Sequence, residues 1–241
     1  MKKILLFLFV ILLAAAGACL LLNKCLRLLP LRTPSQIRSY TGEKIIYDVR
    51  LGRVDLGSMS LSNQGIVKLQ DKELNLTTAE TKLTQFKDVE NIYSDPETFL
   101  PLRVERNITK WLLREQITEE YDQDNFTVTI TKARGRHAHK TQIKSDSAIQ
   151  NPLLIPHYLR RMPELHIGKT ITVNLPSKRL EVRLAAIEDV EVPAGVFKSY
   201  HFISIPAHIE IWITADEQRI PVKIQESGIL SYSMLMREYS R

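Results

Sequence analysis

The chain has 241 residues, of which 44% are hydrophobic and 25% charged, a composition typical of a globular protein with one large or two small domains. Its two cysteines, Cys19 and Cys25, lie in the N-terminal segment, which excludes a disulfide framework in the rest of the chain. The net charge of +6 arises within residues 1–42 and the remaining chain is neutral, so it lacks the basic excess of a duplex-binding protein and we predict no nucleic-acid partner.

At the N-terminus, two lysines precede 19 uncharged and mostly apolar residues that end at Leu22. This length is close to the roughly 20 residues with which a helix crosses a bilayer, and it predicts an N-terminal apolar helix. Residues 1–22 fit a retained membrane anchor, a cleaved signal peptide, or a lipoprotein signal in which Cys19 would be lipidated. All three alternatives place the remaining chain on the periplasmic side of a bacterial membrane, anchored or exported, with the membrane as a partner.

A basic tether is predicted over residues 23–42, because Pro30 and Pro34 prevent a continuous helix there. No linker, internal repeat or low-complexity tract divides the sequence that follows. Residues 43–241 are therefore predicted to form a single β-rich envelope domain.

Apolar and polar residues alternate in short runs throughout this domain, as they do in strands with one buried face. In EKIIYDVRLG, the side chains of Ile45, Tyr47 and Val49 share a face. The step EVPAGVF separates two such runs, and its Pro193 and Gly195 predict a hairpin turn rather than a ligand-binding loop. The same period of two recurs in NFTVTIT, RLEVRLA, HIEIWIT and RIPVKI.

One segment departs from this alternation, because QNPLLIPHYLRRMPEL at residues 150–165 spaces its apolar residues as a short helix does. One-sided strands need a cover for their apolar face, which a second sheet, a curled sheet or a helix can provide. We predict a mainly β fold in which a curved antiparallel sheet, a half-barrel or open barrel, surrounds the short helical segment.

The stretch EDVEVPAGVFKSYHF, followed by IWITADEQRIPVKI, resembles a family of bacterial envelope proteins known as a domain of unknown function, number three thousand one hundred and eight. The opening GEKIIYDVRLGRVDLGSMSL and the middle NPLLIPHYLRRMPELHIGKTITV resemble the same family, so the likeness spans about residues 42–236. The resemblance implies an exported protein with a mostly antiparallel sheet, and it supplies no catalytic residues. In architecture, the family is similar to the lipoprotein carriers of the outer-membrane sorting pathway, whose curved sheet wraps an apolar cavity.

Motifs for catalysis or metal binding are missing from the sequence. It contains no glycine-rich phosphate loop, GxSxG, HExxH or CxxC, so we predict no enzymatic activity and no cofactor. His137 and His139 could face one metal on a strand, but Arg134, Arg136 and Lys140 surround them, and we predict no metal site.

The predicted function is the binding of a lipid or another amphipathic ligand inside the curved sheet. A structural or partner-binding envelope scaffold with a filled core is the alternative, and an enzyme acting on envelope glycan or lipid is the third hypothesis. Aromatic and thioether side chains adapt well to acyl chains, although they also build ordinary cores. The candidate cavity-lining residues are Trp111, Tyr158, Leu159, Trp212, Met234 and Met236.

Overall fold

The structure, a computed structural model, describes residues 39–135, 137–227 and 231–241. Within these residues, fourteen strands form one antiparallel sheet, and one short helix, α1 (Ile155–Arg160), lies between the eighth and ninth strands. The strands are β1 (Lys44–Leu51), β2 (Val54–Leu69), β3 (Lys72–Leu83), β4 (Phe86–Ser94), β5 (Pro101–Lys110), β6 (Leu113–Asp122), β7 (Thr127–Arg134), β8 (His137–Lys144), β9 (Thr170–Leu175), β10 (Lys178–Val192), β11 (Gly195–Ile205), β12 (Ile209–Thr214), β13 (Pro221–Glu226) and β14 (Tyr232–Ser240).

Strands that follow one another in the chain also pair with one another, except across the helical segment between β8 and β9. The pairing of β1 with β14 joins the two halves, so that the order across the sheet is β8 to β1 and then β14 to β9. The predicted hairpin at EVPAGVF is confirmed, because β10 and β11 meet at Val192 and Gly195 and the latter has a φ of 134°. The mainly β, antiparallel fold is confirmed with it.

The sheet curves back on itself, although β8 and β9 do not pair in the described residues. In a flat sheet these two end strands would lie about 60 Å apart, at about 4.8 Å between neighbouring strands. The side-chain amide of Asn174 in β9 instead donates to the hydroxyl of Ser145, one residue beyond β8, at 2.7 Å. The open sheet therefore encloses a space between its two halves.

The helical segment consists of a 3-10 turn, Pro152–Leu154, that runs directly into α1. The side-chain oxygen of Asn151 caps the turn by accepting a hydrogen bond from the backbone N–H of Leu153 at 2.8 Å. Pro163 lies just beyond the end of α1. A proline disfavours helical backbone in the residue that precedes it, which is consistent with the end of the helix here. A short helix within residues 150–165 is confirmed, with narrower bounds.

Side-chain contacts fix α1 at one end of the sheet. The hydroxyl of Tyr158 donates to the carbonyl of Phe99 at 2.8 Å. The guanidinium of Arg160 donates to the carboxylate of Glu43 at 2.7 Å and to the carbonyl of Gln218 at 3.1 Å. These partners lie in the β4–β5 connection, just before β1, and in the β12–β13 connection, so α1 covers this end of the enclosed space.

The predicted N-terminal helix, Cys19 and the tether as far as residue 38 lie outside the described residues. The compact unit begins at Ser39, and Tyr40, within the predicted tether, is buried against the rings of Phe99 and His157. Among the described residues, no helix has the length and apolar character needed to span a bilayer.

Candidate functional site

A cavity of about 810 Å³ lies on the inner side of the sheet and is partly open to solvent. Among the described residues, each strand except β11 contributes to its lining, together with residues 151–153, 155 and 156 of the helical segment. This volume falls within the roughly 300–1,000 Å³ of small-molecule binding sites in proteins. The curvature of the sheet therefore produces a space large enough for a ligand.

Most of the cavity lining is apolar, because alternate residues of the strands project from the inner face of the sheet. The face shared by Tyr47 and Val49, which the sequence predicts to be buried, contributes both residues to the lining. Ala79 contributes a small side chain that leaves space in front of β3. Further apolar residues of the lining include Met59, Leu61, Leu180, Ile224 and Met234.

Five residues of β4, β5 and β6 form a polar wall in this otherwise apolar lining: Asp88, Glu90, Arg106, Glu119 and Tyr121. The Nε of Arg106 donates to the carboxylate of Asp88 at 2.8 Å, and a second guanidinium nitrogen bonds the same carboxylate. The Nε of Arg106 also lies 3.7 Å from the carboxylate of Glu90. The hydroxyl of Tyr121 donates to the carboxylate of Glu119 at 2.5 Å.

The limited access of solvent to the polar wall changes the acidity of its groups. Burial raises the pKa of Glu90, although the amide of Asn151 donates to its carboxylate at 3.1 Å and opposes this effect. The hydrogen bond to Asp88 raises the pKa of Arg106. Burial, followed by the charge of Glu119, raises the pKa of Tyr121. The cavity thus holds paired charges and hydrogen-bonding groups beside a large apolar surface.

A second polar region of the lining lies on β13 and β14. Burial raises the pKa of Tyr232, and its hydrogen bond with Glu226 raises it further, whereas the charge of Arg106 lowers it. Arg106 on β5 and Tyr232 on β14 both line the cavity, although four strands separate them in the sheet order. This arrangement suits a molecule with one polar end and an apolar body.

Three of the predicted lining residues occupy the interior. Met234 lines the cavity. Met236 and Leu159 are 2% and 0% exposed and belong to the hydrophobic core beside the cavity rather than to its lining. The structure brings Met234 and Met236 onto the same face of β14, and the core side chains of α1 pack against the same cluster.

The three predicted aromatic residues lie away from the cavity lining. Tyr158 packs in the core with its hydroxyl bonded to the β4–β5 connection. Trp212 stacks on His201 with ring centroids 4.1 Å apart, and its indole N–H donates to Glu188 at 2.7 Å. Trp111 is 70% exposed in the turn between β5 and β6. Residue type alone did not indicate the location of these side chains, which lie on α1, on β12 and in a turn.

The polar wall is not predicted by any of the sequence motifs considered above. In β4, Asp88 and Glu90 are in phase with Phe86 and Ile92, and this in-phase position of two carboxylates was the available signal. A charged residue on an apolar face marks a partner or a site, since an isolated buried charge is costly. The pairing with Arg106 depends on the register of β4 and β5, in which Glu90 lies opposite Arg106.

The two candidate metal ligands lie on β8, where His137 and His139 are exposed. Within the described part of the chain, no group of three or more His, Cys, Asp or Glu residues is arranged to hold a metal ion.

Three solved structures match the chain. A beta-barrel-like protein of the domain of unknown function DUF1849 from Brucella abortus has a TM-score of 0.52 at 10% identity, and the match covers 82% of this chain and 96% of that one. A protein from Bacteroides fragilis, predicted to be exported and having a YmcC-like fold, matches with a TM-score of 0.30 at 9% identity over 83% and 96% of the two chains. A protein from Parabacteroides distasonis, predicted to be a lipoprotein, matches with a TM-score of 0.25 at 7% identity over 83% and 95%. Of these, the Brucella protein supports a shared fold.

No curated protein matches the sequence. Residues 46–234, most of the chain, match the family described as a protein of unknown function, DUF3108. The resemblance drawn from EDVEVPAGVFKSYHF and IWITADEQRIPVKI is thereby confirmed, and the chain belongs to the DUF3108 family.

Proposed function

We propose that residues 39–241 form the ligand-binding domain of an exported, membrane-tethered envelope protein that binds a lipid or another amphipathic molecule without catalysing a reaction. The observation that carries the proposal is the cavity of about 810 Å³, apolar over most of its lining and polar at the wall around Arg106. In this proposal the sheet acts as an open barrel that α1 closes at one end.

The size and chemistry of the cavity favour an amphipathic ligand over a polar one. Each methylene group removed from water contributes about 0.8 kcal/mol, so an acyl chain of about a dozen methylenes would contribute about 10 kcal/mol before the entropic costs of binding. The apolar part of the ligand would lie against Met59 and Leu61. Its polar end would hydrogen-bond to the wall formed by Glu90, Arg106 and Glu119.

The membrane tether and the periplasmic location in this proposal rest on the sequence of residues 1–22. Their length and apolar character suit an export signal or an anchor. An envelope location would give the cavity access to lipids and acylated molecules.

Photo-crosslinking of the full-length protein tests the proposal. A palmitic acid analogue with a diazirine in its acyl chain should crosslink to β1, β2 and β3, as mapped by mass spectrometry of the digested protein. The substitution Ala79→Phe should reduce these crosslinks about tenfold, because the added ring occupies the cavity in front of β3. Circular dichroism would verify that the variant is folded.

The matched control is Ala138→Phe, which places the same ring on the exposed strand β8. This variant should retain the wild-type crosslinks in β1 to β3. Crosslinks confined to residues 1–38, or equal crosslinking of the cavity in folded Ala79→Phe and Ala138→Phe, would contradict ligand binding in the cavity and favour the scaffold.

A further inference from the structure

Three hairpin turns lie side by side at one end of the sheet, opposite the end that α1 covers. They join β1 to β2, β3 to β4 and β5 to β6, with closing pairs Leu51–Val54, Leu83–Phe86 and Lys110–Leu113. At about 4.8 Å between strands, the three turns span about 24 Å. We call residues 51–54, 83–86 and 110–113 the hairpin edge.

The hairpin edge exposes large apolar side chains at its tips. Leu112 is 98% exposed, Trp111 70%, Val54 60% and Leu113 53%. The backbone N–H of Trp111 donates to the carbonyl of Gln85 at 3.1 Å, which joins the β5–β6 turn to the β3–β4 turn. Trp111, Leu112 and Leu113 are adjacent, and a contiguous exposed apolar group on a folded domain marks an interaction surface.

The charges near the two ends of these strands have opposite signs. Residues 50–55, 82–87 and 109–114 contain six basic residues and one acidic residue. At the other end, residues 68–73, 93–102 and 121–128 contain two basic and six acidic residues. Lys82 and Lys87 both pair with Glu80 at 3.0 Å, whereas Arg53, Lys110 and Arg114 form no salt bridge with a described carboxylate. The edge thus carries cations available to an anionic surface.

The cavity reaches the hairpin edge. Leu51, Leu83 and Phe86 belong both to the edge and to the cavity lining. A surface that contacts the edge would therefore lie beside the cavity, on the side that α1 does not cover.

We infer that the hairpin edge binds the surface of an anionic lipid bilayer. Tryptophan and leucine side chains at the tips enter the interface between headgroups and acyl chains, and nearby lysine and arginine side chains pair with anionic headgroups. The acidic residues at the opposite end orient the domain, because they are repelled by the same surface. This inference rests on the three turns and holds whether or not the cavity contains a ligand.

The two tryptophans of the chain provide a direct test. In the full-length Trp212→Phe variant, the tryptophan fluorescence comes from Trp111 alone. Vesicles of phosphatidylglycerol with brominated acyl chains should shift this emission to the blue and quench it. Adding Leu112→Asp should weaken the quenching about tenfold. Adding Lys110→Gln, which removes one charge, should weaken it about fivefold at low salt.

A tryptophan at the other end of the sheet is the matched control. The variant Trp111→Phe, Trp212→Phe, Phe126→Trp places the reporter in the β6–β7 turn, among the acidic residues. Its emission should not be quenched, even where residues 1–38 attach the protein to the vesicle.

Two results would overturn the inference. The first is an unquenched Trp111, or equal quenching of the two reporters, in protein that sediments with the vesicles. The second is a blue shift of Trp111 that grows with protein concentration without vesicles, because a second copy of the chain would then cover the edge. Either result leaves ligand binding in the cavity to be judged by the crosslinking experiment.

Discussion

His157, on α1, is buried where a charged imidazole has no stabilising neighbour. It is 2% exposed, its ring lies 5.1 Å from that of Tyr40 and 5.2 Å from that of Phe99, and neither ring nitrogen has a hydrogen-bond partner among the described residues. Burial, assisted by the charges of Arg160 and Arg161, lowers the pKa of His157 to about 3. The neutral ring therefore contributes to folding and the protonated ring opposes it.

The substitution His157→Phe should reduce the pH dependence of stability. In the unfolded chain a histidine titrates near pH 6.5. Between about pH 6.5 and pH 3, His157 is therefore protonated in the unfolded state but not in the folded state. The stability present above pH 6.5 is lost as the pH falls through this range. The free energy of unfolding is measured by urea denaturation at pH 7 and at pH 5. Its decrease between these two pH values should be about 2 kcal/mol smaller in His157→Phe than in wild type. His137→Gln, on exposed β8, should keep the wild-type slope. A wild-type slope in folded His157→Phe would contradict the prediction.

Among the structural elements, β2 depends on a glycine where it pairs with the end of β3. Gly57 has a φ of 139°, and a Cβ at this position would lie 2.1 Å from the carbonyl oxygen of Lys82. The carboxylate of Asp55 accepts a hydrogen bond from the N–H of Gly57 at 2.9 Å, next to the irregularity in the β1–β2 pairing. Both the backbone conformation and the close contact require a residue without a side chain.

The substitution Gly57→Ala should lower the free energy of unfolding by more than about 3 kcal/mol, because backbone strain adds to the contact with Lys82. Gly135→Ala provides the comparison, since Gly135 has a φ of 61° and no atom within 4 Å of the added Cβ. Gly135→Ala should lower the free energy of unfolding by about 1–2 kcal/mol, because only the backbone conformation is unfavourable for alanine there. Equal midpoints in chemical denaturation of the two variants would show that the β2–β3 contact relaxes without cost.

At the scale of the whole molecule, Asn174 joins the two ends of the sheet. The amide of Asn174 in β9 donates to the hydroxyl of Ser145 and, at 3.0 and 3.2 Å, to the carbonyls of Ser147 and Ala148. These contacts attach β9 to the segment that leaves β8. They maintain the curvature without strand pairing between the ends.

The substitution Asn174→Leu should therefore loosen this junction while leaving the centre of the sheet intact. Hydrogen exchange measured by mass spectrometry should accelerate about five- to tenfold in residues 145–151, since each lost hydrogen bond contributes about 1 kcal/mol. Exchange in β1 to β3 should not change. As a control, Asn125→Leu removes a side-chain bond to Asp122 in an exposed turn and should leave residues 145–151 unaffected. Unchanged exchange at 145–151 in Asn174→Leu would exclude this junction as the constraint.

Much of the strand structure follows from the sequence, because neighbouring residues of a strand point to opposite faces. The alternation of Ile45, Tyr47 and Val49 predicts one buried face, and all three are buried. Trp212 shows the limit of residue type as a guide. It lies between Ile211 and Ile213 in β12, so its ring faces away from theirs, and it is buried by stacking on His201 from the neighbouring strand.

The sequence alone determined a mainly β chain, a hairpin at EVPAGVF, a short helix within residues 150–165 and membership of the DUF3108 family. These features depend on local periodicity, turn chemistry and residue order, which are all present in a linear chain. The tertiary structure decided that the sheet encloses a cavity, that Glu90 and Arg106 meet in its wall, and that Trp111 lies on an exposed edge. These features depend on strand register and sheet curvature, which bring together residues that are far apart in the sequence. A local sequence pattern does not specify which distant residues will meet.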